Sequence, residues 1–171
     1  MKTADAHNKD FIGFYHFNKY ETRTLERAIE MIEKPKKKVN LEQKLVVVFA
    51  MYIRLRDALA TTGTRERFVC CTCGRNLSFE LSQDGHCFGR SKDGTKFEET
   101  NNHAQCDTCN GDRKSRGQFF AHKAFIRQKY GQAELDRLEY LSKKLVVQRR
   151  DDWYLKKIDE YNSKLTSLKE G

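Results

Sequence analysis

Apolar positions recur at helical spacing over most of this chain and at strand spacing only in its middle. Leu25, Ala28, Ile29 and Ile32 fall on one face of a helix expected over 21–34, which Pro35 ends. Asn40 with Gln43 three residues later resembles a capping box, so a long helix is expected from Leu41 to about Ala60. Its interior is apolar, and Arg54, Arg56 and Asp57 mark its end. Thr61 to Arg67 reads as a polar loop. Leu77, Phe79 and Leu81 alternate with Ser78 and Glu80, as in a short strand. Gln83-Asp84-Gly85 then reads as a turn, His86 to Gly89 as a returning strand, Ser91 to Thr95 as a second turn and Lys96 to Glu98 as a short extended piece. A helix is expected from near Cys109 toward Tyr130, with Gly131 as its stop. Two helices close the chain. One carries Leu135, Leu138, Leu141 and Leu145 on a face; the other carries Tyr154, Ile158, Tyr161, Leu165 and Leu168. That last stripe covers only about two heptads, which suits intramolecular packing better than a dimer seam; a homodimer is the alternative.

The fold class that follows is α+β and mostly helical. The expected divisions are an N-terminal helical region (1–66), a small core (67–130) and C-terminal helices (131–171) that are a candidate dimerisation element. A chain of 171 residues with 33% charged and 38% apolar residues suits a water-soluble domain of this kind. The net charge of +9 favours a polyanionic partner such as nucleic acid. The first residues lead into polar sequence without an apolar leader, and the run Leu45 to Ala50 is far too short to span a bilayer. The expectation is a cytoplasmic protein with no membrane partner. In that reducing compartment, cysteines spaced Cys-x-x-Cys read as metal ligands rather than disulfides.

Cys70-x-x-Cys73 and Cys106-x-x-Cys109 are such pairs, with 32 residues between Cys73 and Cys106. Four thiolates in two knuckles suit a tetrahedral structural Zn2+, closed to chemistry. Cys71 is an ambiguous neighbour, and Cys87 reads as a strand residue. Between the knuckles lie His86, Asn101 and His103, and Asn110 follows directly. A histidine and asparagines beside such a zinc are the equipment of an HNH-type nuclease. That chemistry needs a general base to take a proton from water and one divalent metal, Mg2+ or Mn2+, at the scissile phosphate. His86 is the candidate base, against a structural role beside the zinc. Asn101 is a candidate for holding the metal loop to the hairpin, against a helix N-cap. His103 is open between metal, phosphate and structural roles. Asn110 is a candidate metal ligand. Asp84 is a carboxylate two residues before His86, against an ordinary turn aspartate. Arg90, Arg113, Lys114 and Arg116 are candidate contacts to DNA phosphates, against an ordinary solvated face.

The segment from Gly85-His86 through Lys96-Phe97-Glu98-Glu99 to Asn101-Asn102-His103-Ala104-Gln105-Cys106-Asp107-Thr108-Cys109-Asn110 resembles the NinG (Rap) recombination proteins of lambdoid phages. So does Tyr52-Ile53-Arg54-Leu55-Arg56-Asp57-Ala58 ahead of Cys70-x-x-Cys73-Gly74-Arg75. The likeness spans about residues 45 to 145. It implies a zinc-stabilised ββα-metal (HNH-like) core and cutting of branched recombination intermediates such as Holliday junctions or D-loops. By position it implies an active site of His86, Asn101, His103 and Asn110. Gly85 stands where many HNH enzymes place a metal-binding Asp or His. The competing readings are a non-catalytic zinc-stabilised module that binds branched DNA and a sequence-specific HNH endonuclease.

Overall fold

Asn40 starts the first helix as its spacing suggests: its side-chain oxygen accepts the Gln43 amide at 3.1 Å and satisfies a first-turn N–H. The computed structural model describes residues 40–111, 116–143 and 148–170. The helix expected over 21–34, Leu145, and the candidate DNA contacts Arg113 and Lys114 lie outside them. The described residues all belong to one compact unit, 39–171.

In chain order the elements are α1 (Leu41–Thr62), β1 (Arg67–Val69), β2 (Asn76–Ser78), a 3-10 turn (Phe79–Leu81), β3 (Ser82–His86), β4 (Asn102–Cys106), α2 (Asp107–Gly111), α3 (Arg116–Tyr130), α4 (Gln132–Lys143) and α5 (Asp151–Glu170). The architecture is α+β and mostly helical. β1 pairs antiparallel with β2, and β3 with β4.

Three small cores hold the described residues together. The largest joins α1 to α5: Leu45, Phe49, Tyr52, Ile53 and Leu55 pack on Ile158, Tyr161 and Leu165. The apolar stripe of the last helix is thus covered by α1 of the same chain, so the seam considered for a homodimer is already occupied. The second core, around Phe68, Ala104 and Ala58, includes three of the knuckle cysteines. The third seats Cys87 and Phe88 on Ile126 of α3 and on Leu135 and Leu138 of α4.

α1 also carries the β3–β4 hairpin. The Ala104 amide donates to Asp57 Oδ2 at 2.8 Å, and the Cys71 amide donates to the Ala104 carbonyl, so the outer edge of β4 is satisfied without another strand. Arg56 donates to the carbonyls of Glu99 and Asn102 and to Asp57 Oδ1. Arg54 donates to Ser82 Oγ and lies over the Phe79 ring, 4.7 Å from its centroid.

Several local expectations change. The strand expected over 77–81 stops at Ser78, and Phe79 to Leu81 is a 3-10 turn. Gln83-Asp84-Gly85 is the middle of β3 rather than a turn, and His86 ends that strand instead of opening a returning one. Lys96 to Glu98 lies among turns. Asp and Gly have weak strand preference, but pairing with β4 outweighs it. At Gly85 the glycine answers to close packing: a Cβ there would stand 2.0 Å from Gln105 Oε1. The helix expected from near Cys109 to Tyr130 is described as α2 and α3. It stops at Gly131, which has φ +90°.

Candidate functional site

The sulfur atoms of Cys70, Cys73, Cys106 and Cys109 all lie within 4.8 Å of one another. Sulfurs at about 2.3 Å from a tetrahedral zinc stand about 3.8 Å apart, so a small contraction brings the four into coordination. The first knuckle is the β1–β2 turn. The Cys70 amide donates to the Arg75 carbonyl, the Gly74 amide donates to the Cys70 carbonyl, and Gly74 takes φ +70°. The second pair sits where β4 runs into α2. The donor set also fits electrically. Arg75 donates to Cys73 Sγ and Cys106 Sγ at 3.4 Å each, and the Cys106 amide donates to Cys70 Sγ at 3.4 Å. Those donors offset thiolate charge. The four cysteines are grouped so that they could hold a structural metal ion such as zinc. Cys71 stands outside it: burial pushes its thiol well above the ordinary range. Cys87 is a buried apolar thiol in the third core, pushed up to about 12 by burial.

Strand alternation sorts the other candidates onto the two faces of the hairpin. Ser82, Asp84 and His86 point to one side, together with their cross-strand partners Cys106, Ala104 and Asn102. Asp84 Oδ2 stands 3.9 Å from His86 Nδ1, beyond hydrogen-bond range. Asp84 Oδ1 is buried with no hydrogen-bond partner, and so is Asn102 Oδ1. Burial raises the Asp84 carboxyl to about 7, against the pull of Arg90 and Arg56. Burial, then the Arg90 charge, lowers His86 to about 4 and leaves its imidazole unprotonated at neutral pH. Val46, Phe49, Arg90, Lys96 and Phe97 line the recess with this pair. The His86 side chain is only 8% exposed, so the recess is closed in this conformation.

Asn101 is fully buried and ties the 87–100 loop to the hairpin. Its Oδ1 accepts the Phe88 amide at 2.8 Å, and its Nδ2 donates to the carbonyls of Phe88 and Thr95. It caps no helix. The loop it clamps begins one residue after His86, so the asparagine positions the end of β3.

The family model described as "NinG: Bacteriophage Lambda NinG protein" matches residues 17–170. The chain belongs to the NinG family. No curated protein matches it, and no solved structure does. Membership fits a role in phage recombination.

Within this NinG chain, the candidates group differently from their order in the motif. His103 lies opposite Gly85, on the face away from His86. It is fully buried: Nε2 meets the Tyr130 hydroxyl at 3.0 Å, Nδ1 meets His122 Nε2 at 3.4 Å, and Phe125 packs edge-on. Burial, then the neighbouring His122, holds its pKa far below the histidine range. His103 therefore joins the hairpin to α3, with both ring nitrogens turned to protein groups. Asn110 Nδ2 donates to Gln83 Oε1 at 2.7 Å, on the face away from Asp84 and His86. The set His86, Asp84 and Asn110 is not brought together, because residue 83 points opposite to residues 84 and 86.

Arg90 is exposed at the mouth of the recess. Arg116 opens α3, with its side chain outside the described set. The residues whose importance the sequence did not reveal are Arg54, Arg56 and Asp57. They lie in the Tyr52–Ala58 segment that carries the NinG resemblance, and clustered charges near the end of an apolar helix are their signal. No helix among the described residues is long and apolar enough to cross a membrane.

Proposed function

We propose that this chain is a metal-dependent, structure-specific DNA endonuclease that cuts branched recombination intermediates, with His86 as general base. One observation carries the reading: His86 stands beside a buried carboxylate, Asp84, whose Oδ1 has no partner, in a recess edged by Arg90 and Lys96. An orphaned buried carboxylate oxygen is costly unless something binds it. Mg2+ is commonly held through one or two protein carboxylates, with water and substrate phosphate completing its shell. Such an ion at Asp84 would supply charge stabilisation at the scissile phosphate and leaving oxygen. The chain's own residues supply the rest. His86, unprotonated at neutral pH, accepts a proton from the attacking water. An ionised Asp84 steadies the imidazolium that results. Asn101 fixes the strand end that carries His86. Arg90 and Lys96 offer positive charge to the phosphate. The β3–β4–α2 succession supports the ββα order expected of an HNH-type core, which a zinc on the four cysteines would staple. Preference for branched over linear DNA rests on the NinG resemblance.

A specific feature favours the second reading, a non-catalytic zinc-stabilised module that binds branched DNA. Among the described residues the four cysteines are the only group of three or more Cys, His, Asp or Glu placed to share an ion. Cleavage of a synthetic four-way junction beside a matched linear duplex, in Mg2+ and in Mn2+, separates the readings. The expected result is junction cutting that falls at least about a hundredfold in His86→Ala while junction binding and zinc content persist. Tight binding without cutting in either metal would establish the module. Discrete products from the linear duplex would point to a sequence-specific enzyme.

A further inference from the structure

We propose that the exposed face of α3 is a binding site for unpaired DNA bases, which stack on Phe119 and Phe120 while Arg127 and Lys123 meet the adjoining phosphates. It rests on the DNA-directed reading above and names where the single-stranded nucleotides of a branch would lie.

α3 carries no Asp or Glu from Arg116 to Tyr130. Its inward residues, His122 and Ile126, are buried against the hairpin and α4. Its outward residues include two large aromatics: Phe119 is 40% exposed and Phe120 63%. Their rings lie 5.8 Å apart at 58°. Apolar rings on a surface need no comment singly, but two side by side next to cations do. Between α3 and α4 lies a cavity of about 390 Å³, lined by Phe120, Lys123, Ala124, Arg127, Gln132 and Leu135. That is a size in the range of small-ligand sites, and its lining mixes a ring, an aliphatic floor, a side-chain amide and two cations.

The charges suit a nucleic-acid strand. Arg127 is exposed and makes no ion pair among the described residues. The Lys123 ammonium lies over the rings of Phe88 and Phe119, at 5.4 and 5.2 Å from their centroids, and pairs with Glu139 at 3.1 Å. Glu139 is shared with Lys143, so that carboxylate does not cancel the local positive charge. Aromatic faces beside phosphate-directed cations are the general means of holding single strands, because every base presents a π-face. Paired bases are already stacked inside the duplex, so the rings select unpaired ones.

The site adjoins the loop that follows His86. Phe119 meets Phe88 edge-on at 6.0 Å and 82°. Phe88 lies two residues beyond His86 and is held at both its amide and its carbonyl by Asn101.

The test is fluorescence anisotropy on the full chain without added divalent metal, using labelled oligothymidine and a blunt duplex of equal length. Wild type should bind oligothymidine. Phe120→Ala should weaken that binding about tenfold or more, and Phe120→Trp should retain it. Arg127→Gln should weaken it and reduce the salt slope by about one. Duplex binding should change far less in Phe120→Ala. Both positions are exposed, so the variants should melt with wild type, which circular dichroism checks. No oligothymidine binding by wild type, full binding by Phe120→Ala, or an equal loss on duplex would each overturn the site. Phe120-dependent binding in a protein that cuts no junction would uphold the site and sink the endonuclease. Junction cutting with Phe120-independent binding would do the reverse.

Discussion

Asp84 is held against its chemistry. A carboxylate buried without a partner is costly to ionise, and burial raises its pKa to about 7. Asp84→Asn keeps the shape and removes the charge. It should raise the melting temperature by a few degrees. It should also abolish the upward shift that Mg2+ or Mn2+ gives wild type. Thermal melts with and without metal decide this, and an unchanged metal shift in the variant would remove Asp84 from the ion site. The cysteines divide just as sharply. Cys106→Ser takes away one of four sulfurs in the metal cluster, and it should strip the zinc or unfold the hairpin. Cys71→Ser removes a thiol outside that cluster and should keep one zinc per chain by elemental analysis. A folded Cys106→Ser protein with full zinc would refute the structural role of the knuckles.

At the scale of elements, α1 is the platform of the molecule. One side receives α5 through Phe49, Tyr52 and Ile53; its end holds the hairpin through Arg54, Arg56 and Asp57. The expected boundary at residue 66 therefore separates elements that pack as one unit. The four-three spacing of α5 was legible in the sequence, and its use was not, since a stripe on one helix does not name its partner. Ile158→Ala, which removes a side chain 5% exposed against α1, should cost about 2–5 kcal/mol. Urea unfolding measures it, and the variant should elute with wild type on gel filtration. A change in oligomeric size with little loss of stability would mean instead that the face serves an intermolecular contact.

At the scale of the whole molecule, buried histidines tie the fold to pH. Burial lowers His122 to about 4 and His86 to about 4, and it lowers His103 further still. Unfolded, each titrates near 6.5. Above pH 6.5 both states are unprotonated, and these groups add no pH dependence. As pH falls from 6.5 toward 4 the unfolded chain takes up protons that the folded chain refuses, so stability drops. Asp84, raised to about 7, acts oppositely across this whole range and offsets one histidine. The urea midpoint should fall between pH 7 and pH 4.5, and His122→Gln should show a shallower fall. An identical slope in the variant would clear His122 of the effect.

The sequence by itself determined what depends on short covalent spacing. Two residues between cysteines make a knuckle in any fold that closes it, so all four sulfurs of the cluster were legible. Asn40 and Gln43 likewise determine a helix start within one turn. Asn101 was legible as a clamp, although its partners Phe88 and Thr95 were not. The tertiary structure decided whatever depends on a distant partner. Gln83-Asp84-Gly85 has turn composition and becomes strand only because residues 102–106 lie alongside it. That pairing then decides which face each side chain takes. It leaves Asp84 with His86, turns Gln83 and Asn110 to the other side, and buries His103 against α3. A strand's two faces are equivalent in its own sequence; they differ only in what packs against them.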